Sequence, residues 1–128
     1  MNNSKLTERE VQIMKCIWDA DHQLALSEIL QAVNDRFEND WKPTTASTFL
    51  NRLVQKGFLR LNRKVRYYSY EVLISQEEYL KNEAVSFHRF WGKNAVKTFL
   101  SALFDGEVLG ENEVAELKEL FSAPTDNQ

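Results

Sequence analysis

From Thr7 onward, apolar positions recur at intervals of three and four, the period of a helix with one buried face. Thr7-Glu8-Arg9-Glu10 is a T-x-x-E capping box, in which the hydroxyl and the carboxylate each satisfy an amide that the first turn leaves without a partner. The helix it opens carries Val11, Met14, Ile17 and Trp18 on one face and is expected to stop near residues 19–21. Ser27 is expected to cap a second helix, in which Ile29, Leu30, Val33 and Phe37 repeat at helical spacing. Glu38-Asn39-Asp40 reads as a polar break. Trp41-Lys42-Pro43 starts a third helix, because proline at the first helical position loses no hydrogen bond and presets φ. Ala46, Phe49, Leu50 and Leu53 form its buried stripe, and Lys56-Gly57 ends it with a cation near the negative end of the helix dipole.

The pattern then changes. Residues 58–63 and 66–72 are rich in aromatic and branched side chains and flank a basic tip, which predicts a two-stranded hairpin. Ser75-Gln76-Glu77-Glu78 is a second capping box, opening a long helix to about Phe90 that carries Tyr79, Leu80, Val85, Phe87 and Phe90. A shorter helix carries Ala95, Val96, Phe99, Leu100, Leu103 and Phe104. Residues 105–110 break the chain, a last helix holds Val114, Leu117, Leu120 and Phe121, and the tail with Pro124 is expected to fray. No internal repeat or low-complexity stretch interrupts this order. The fold class is therefore mainly α with a small β-hairpin. Three helices followed by a basic hairpin is the order of a winged helix-turn-helix, placed at residues 1–73, and a helical arm follows at residues 74–128.

Composition adds a core and a location. Of 128 residues, 43% are apolar and 12% aromatic, and no apolar run approaches the ~20 residues that span a bilayer. The single Cys16 cannot form an internal disulfide, and no charged-then-apolar leader opens the chain, so the expectation is a reducing, cytoplasmic setting without membrane insertion.

Charge changes the picture more. The net charge of −3 hides an asymmetry. Residues 41–70 hold seven positive charges (Lys42, Arg52, Lys56, Arg60, Arg63, Lys64 and Arg66) and no Asp or Glu, whereas residues 73–128 hold five positive and ten negative. A basic part joined to an acidic part is the pattern of a nucleic-acid reader carrying a separate assembly or regulatory part. Thr44, Thr45, Ser47, Thr48, Asn51 and Arg52 lie off the apolar stripe of the third helix. Short hydroxyls let a helix backbone approach base edges in a major groove, and an arginine there reaches guanine or phosphate. Arg63, Lys64 and Arg66 at the hairpin tip suit the sugar-phosphate backbone, which gives affinity and register but little sequence information. The blander alternatives are a solvated polar helix face and a hairpin tip kept soluble by charge. Four Thr or Ser residues in five positions lower helix propensity, and no carboxylate is interleaved, so both clusters favour DNA contact.

No Gly-rich phosphate loop, nucleophile elbow or carboxylate–histidine grouping appears, so no enzyme activity and no cofactor is expected. Cys16, His22 and His88 lack ligand spacing, so no metal site is expected from one chain. Cys16 reads as a half-buried helix residue and His22 as a turn residue.

These stretches carry a resemblance. Residues 6–18, with Leu6-Thr7-Glu8-Arg9-Glu10-Val11 at their head, the run Trp41-Lys42-Pro43-Thr44-Thr45-Ala46-Ser47-Thr48, and Asn51-Arg52-Leu53-Val54-Gln55-Lys56-Gly57-Phe58-Leu59 together resemble the penicillinase-repressor family of winged-helix regulators. The W-x-P-x-T-x-x-T core followed by R-L-x-x-K-G is more specific than a generic winged helix requires. The resemblance implies a homodimer on a pseudo-palindromic DNA operator that represses resistance or stress genes, with Thr45, Thr48 and Arg52 at DNA-contacting positions. Thr44 stands where relatives often carry a basic residue, and Val65 where they often carry Gly.

Phe87, Phe90, Trp91, Phe99, Leu100, Leu103, Phe104, Leu117 and Phe121 would leave a large apolar patch on a monomer, and such patches mark interfaces. These are the expected dimerisation residues. A two-fold dimer would set two recognition helices about one DNA turn, ~34 Å, apart. The resemblance implies two release routes. In the β-lactam branch a membrane sensor-protease pathway leads to cleavage in the arm, here matching the Thr98–Phe99 bond. The copper branch needs closely spaced C-terminal cysteines, which this chain lacks, so β-lactam-type regulation is the expected one. The competing class is a winged helix that binds protein and not DNA.

Overall fold

The computed structural model describes residues 5–63 and 68–122. The elements run α1 (Glu8–Asp19), α2 (Leu26–Phe37), α3 (Pro43–Gln55), β1 (Leu59–Arg63), β2 (Tyr68–Val72), α4 (Gln76–Trp91), α5 (Lys93–Asp105) and α6 (Glu111–Ser122). Local chemistry explains where most of them begin. The Thr7 hydroxyl accepts from the Glu10 amide at 3.2 Å while the Glu10 carboxylate accepts from the Thr7 amide at 2.9 Å, completing the first capping box. Proline occupies the first turn of α3 as expected. The Ser75 hydroxyl accepts from the Glu78 amide at 3.1 Å ahead of α4.

The start of α2 corrects the sequence reading. Ser27 lies inside the helix and is exposed, and Ala25 is the N-cap. The Glu28 carboxylate takes over the capping role, accepting from the Ala25 amide at 2.9 Å. A carboxylate in the first turn satisfies the orphan amide and also meets the positive end of the helix dipole.

Contacts divide the chain into two units, Met1–Leu80 and Lys81–Gln128. In the first, α1, α2 and α3 pack pairwise around Ile13, Met14, Ile29, Val33, Leu50 and Leu53, all with no exposed surface. The hairpin closes this core from one side. β1 and β2 pair antiparallel, from Leu59 opposite Val72 to Arg63 opposite Tyr68. Leu24 adds a single antiparallel bridge to Tyr70, its carbonyl accepting from the Tyr70 amide at 3.0 Å. The Trp18 indole donates to the Ile74 carbonyl at 2.9 Å, and its ring lies 5.4 Å from that of Tyr79. Cys16 is buried rather than half-buried, and burial pushes its thiol pKa up.

One charged pair crosses the core margin. Glu10 is fully buried, and the ammonium of Lys56, the residue that ends α3, donates to its carboxylate at 2.6 Å and to the Lys5 carbonyl at 2.8 Å. Burial pushes the Glu10 carboxyl up, but hydrogen bonds from Lys56 and Thr7 and the Lys56 charge outweigh it and hold the pKa below 4.5. The pair fastens the entry of α1 to the exit of α3.

In the second unit, α5 and α6 contain no buried residue, and the same holds throughout α4. The Phe87 ring lies 5.3 Å from Phe99 and 6.3 Å from Trp91, and Phe90 meets Trp91 edge-on at 4.9 Å. Gly92, at φ 90°, makes the break between α4 and α5. Among the described residues no helix is long and apolar enough to cross a membrane.

Replacing Lys56 by Met strands the buried Glu10 carboxylate and is expected to lower stability by about 2–4 kcal/mol, measured by chemical denaturation at pH 7. Because the Glu10 pKa is depressed in the folded chain, the stability it contributes is present above pH 4.5 and is lost as pH falls through the lower native value. Glu10→Gln should therefore flatten the acid limb of the stability curve, checked by denaturation midpoints from pH 7 to pH 3.

Candidate nucleic-acid interface

Helix α3 has two chemically different faces. Ala46, Leu50 and Leu53 have no exposed surface and fix the helix on the core. Thr44, Thr48, Asn51 and Arg52 are exposed on the far side, and Thr45 and Ser47 are half-buried on its flanks. The sequence-predicted set is thus brought together on one helix, with four members facing outward. The Thr48 hydroxyl donates to the Thr44 carbonyl at 3.0 Å, one turn earlier. That bond uses the donor and leaves the oxygen lone pairs and the methyl group outward.

The positive charges of residues 41–70 divide by partner. Lys56 is tied to Glu10, and Arg60 donates to the Glu71 carboxylate across the hairpin at 2.9 and 3.1 Å. Among the described residues Lys42, Arg52 and Arg63 have no carboxylate partner. Arg63 is exposed at the end of β1, its guanidinium 5.7 Å from the centre of the Tyr68 ring. Lys64, Arg66 and Val65 lie outside the described residues.

Three residues that support this surface were not singled out in the sequence. The Gln23 carbonyl oxygen accepts from the Asn62 amide group at 2.6 Å and from the Ser69 hydroxyl at 3.0 Å, so one side chain holds both strands of the hairpin. Its neighbour Leu24 makes the bridge to Tyr70. Asn34 holds the entry to α3, accepting from the Trp41 amide at 2.9 Å and donating to the Trp41 carbonyl at 3.2 Å. No local pattern announces such links, since their partners are distant or sit in a turn without a repeat.

Elsewhere, His22 sits in the turn after α1, held by Asp21 at 2.8 Å and Glu28 at 3.4 Å, and those carboxylates push its pKa above 6.5. The arm residues Phe90, Trp91, Phe99 and Phe121 are exposed, and Phe87, Leu100, Leu103, Phe104 and Leu117 are half-buried. Thr98 and Phe99 lie within α5, where the Thr98 hydroxyl donates to the Asn94 carbonyl at 3.1 Å. Among the described residues no three His, Cys, Asp or Glu side chains gather as a metal site would need.

A three-helix core, a bonded hairpin and a polar outward helix between them define a winged helix-turn-helix. Residues 6–123 match the penicillinase repressor family, and the chain belongs to that family of transcription regulators. It is 26% identical over 118 residues to the penicillinase repressor of Bacillus licheniformis, covering 91% of this chain and 87% of that protein. It is 27% identical over 123 residues to a 16.5 kDa protein of Latilactobacillus sakei encoded in the ptsI 3′ region, covering 95% and 82%. The solution structure of the monomeric form of Bacillus licheniformis BlaI in complex with the blaP half-operator superposes with a TM-score of 0.50 at 26% identity, over 59% of this chain and 89% of that one. The DNA-binding domain of the repressor BlaI gives 0.50 at 27% identity, over 59% and 88%.

Gln23→Ala removes the acceptor of the buried Ser69 hydroxyl. It is expected to cost about 1–2 kcal/mol in denaturation experiments and to speed hydrogen exchange at the β1 and β2 amides while leaving α1 unchanged.

Proposed function

We propose that this chain is a DNA-binding transcriptional repressor, in which residues 1–73 read a pseudo-palindromic operator and residues 74–128 hold a homodimer. The carrying observation is the division of α3, whose inner face is sealed in the core while Thr44, Thr48, Asn51 and Arg52 are exposed, and among the described residues Lys42, Arg52 and Arg63 have no carboxylate partner. A helix so held enters a major groove without disturbing the core that carries it. Thr45, Thr48 and Arg52 are the proposed base-reading group, flanked by Thr44, Ser47 and Asn51. Arg63, with Lys64 and Arg66, is proposed to hold phosphates from the wing. The relatives named above as a repressor and as a half-operator complex support the same reading.

The dimer rests on the arm. Three successive helices without one buried residue leave Phe90 at 78%, Trp91 at 61% and Phe121 at 61% exposure. Apolar surface of that kind is stable in water when a second copy covers it. The controlled genes are proposed to be resistance or stress genes of the β-lactam type, reached through a membrane sensor-protease pathway that ends in cleavage at Thr98–Phe99. That bond lies inside α5, so a protease gains access after the helix opens locally. Dimer dissociation would follow, because the Phe87–Phe99 packing is then cut from its helix.

Selection of bound duplexes from a random pool tests the reading. Thr48→Ala should change the preferred bases at one or two positions. Arg63→Ala should weaken all sequences alike and lower the slope of log affinity against log salt by about one. Enrichment of no duplex would contradict the proposal and favour a protein-binding winged helix. In sedimentation experiments the wild type should be a dimer and Trp91→Asp a folded monomer.

A further inference from the structure

Among the described residues, Arg52 and Arg63 of the basic segment lack a carboxylate partner, and each lies over an aromatic ring. Arg52 is 5.3 Å from the centre of Phe49, and Arg63 is 5.7 Å from that of Tyr68. The cations that do have carboxylate partners, Lys56 and Arg60, serve the fold. Periodicity puts Phe49 in the buried stripe of α3, yet it is half-buried, where Ala46, Leu50 and Leu53 are fully enclosed. Phe49 packs against the buried core and also stacks on Trp41, at 5.2 Å with the planes 28° apart. Trp41 is itself clamped by the Asn34 side chain on both its amide and its carbonyl. The α2–α3 turn thus fixes Trp41, Trp41 backs Phe49, and Phe49 lies under Arg52.

We infer that Phe49 is a positioning residue for Arg52, a half-buried ring that holds the guanidinium ready over the outward face of α3. This rests on the DNA-reading role proposed above. A guanidinium held over a ring spends none of its N–H donors on a carboxylate and leaves them for a bidentate acceptor. An ion pair would have consumed those donors. An arginine held over a ring has also lost part of its rotamer freedom before binding, so less remains to be lost in the groove. Arg52 follows Phe49 by three residues and Thr48 by four, the spacings at which side chains of one helix face meet. The ring therefore holds the cation on the helix face that also carries Thr48.

The test is a double-mutant cycle on a duplex selected by the wild-type chain, using Phe49→Leu, Arg52→Ala, the double variant and Phe49→Tyr. Leucine keeps an apolar side chain of similar reach, and thermal unfolding of each variant verifies the fold. Phe49→Leu should weaken binding about two- to fivefold in the wild-type background and less than about 1.5-fold beside Arg52→Ala, and Phe49→Tyr should restore wild-type affinity. An equal loss in both backgrounds would overturn the inference, because Phe49 would then act by packing alone. A second readout needs no DNA. In proton spectra of the free chain, the Arg52 side-chain signals should be shifted upfield by the ring, keep that shift in Phe49→Tyr and lose it in Phe49→Leu. No ring shift in the wild type would also overturn it. If the wild type selects no duplex but the ring shift is present, the DNA reading fails while the seating of Arg52 stands.

Discussion

Ala46, Leu50 and Leu53 are fully excluded from water, and α3 can turn a polar, charge-bearing face outward because these three hold it from behind. A helix with threonines or serine at positions 44, 45, 47 and 48 has little intrinsic reason to persist alone. Tertiary contact supplies the reason. Its inner stripe meets α1 and α2, its entry is fixed by the Asn34–Trp41 pair, and its exit is fixed by Lys56 on buried Glu10. With both ends and one face committed, the remaining face is exposed on a helix that the core holds in place, which suits the proposed reading of a groove.

The same division of labour applies to charge. A count of positive residues between 41 and 70 treats all seven alike, and the fold does not. Lys56 closes the core margin, Arg60 pairs with Glu71 across the hairpin, and Lys42, Arg52 and Arg63 are left without carboxylates among the described residues. An acid-free stretch thus fits a nucleic-acid-binding class, yet two of its cations, Lys56 and Arg60, are engaged by carboxylates. The acidic residues that absorb two of them lie outside the stretch, one forty-six positions upstream and the other in the returning strand.

Local signals were legible and long-range ones were not. The Thr7 capping box, proline at the head of α3, the helical order and the hairpin all follow from chemistry within a few residues, and the structure has each of them. Ser27 misled because a serine near a helix start is a common cap, whereas here Glu28 reaches back to Ala25 and the serine is left inside the helix. The Leu24 bridge, the Gln23 clasp and the Glu10–Lys56 pair join residues far apart in sequence, and a single residue at each end carries no period to read. Phe49 shows a subtler limit. Periodicity places it on the inner side of α3, where it does pack against the core, but only the fold shows that it is half-buried, with Trp41 of the turn and a guanidinium also against it. The family is legible because its motifs are themselves local, running through nearly all of α1 and most of α3.

The central claim is that the outward face of α3 and the wing together form the DNA surface. Backbone amide shifts of the isotope-labelled chain, followed during titration with a duplex selected by the same chain, test it most directly. If that surface binds the duplex, the largest shifts fall at residues 44–52 and around Arg63, with α1 little changed. Shifts confined to the helical arm, or spread evenly with α3 silent, would contradict it.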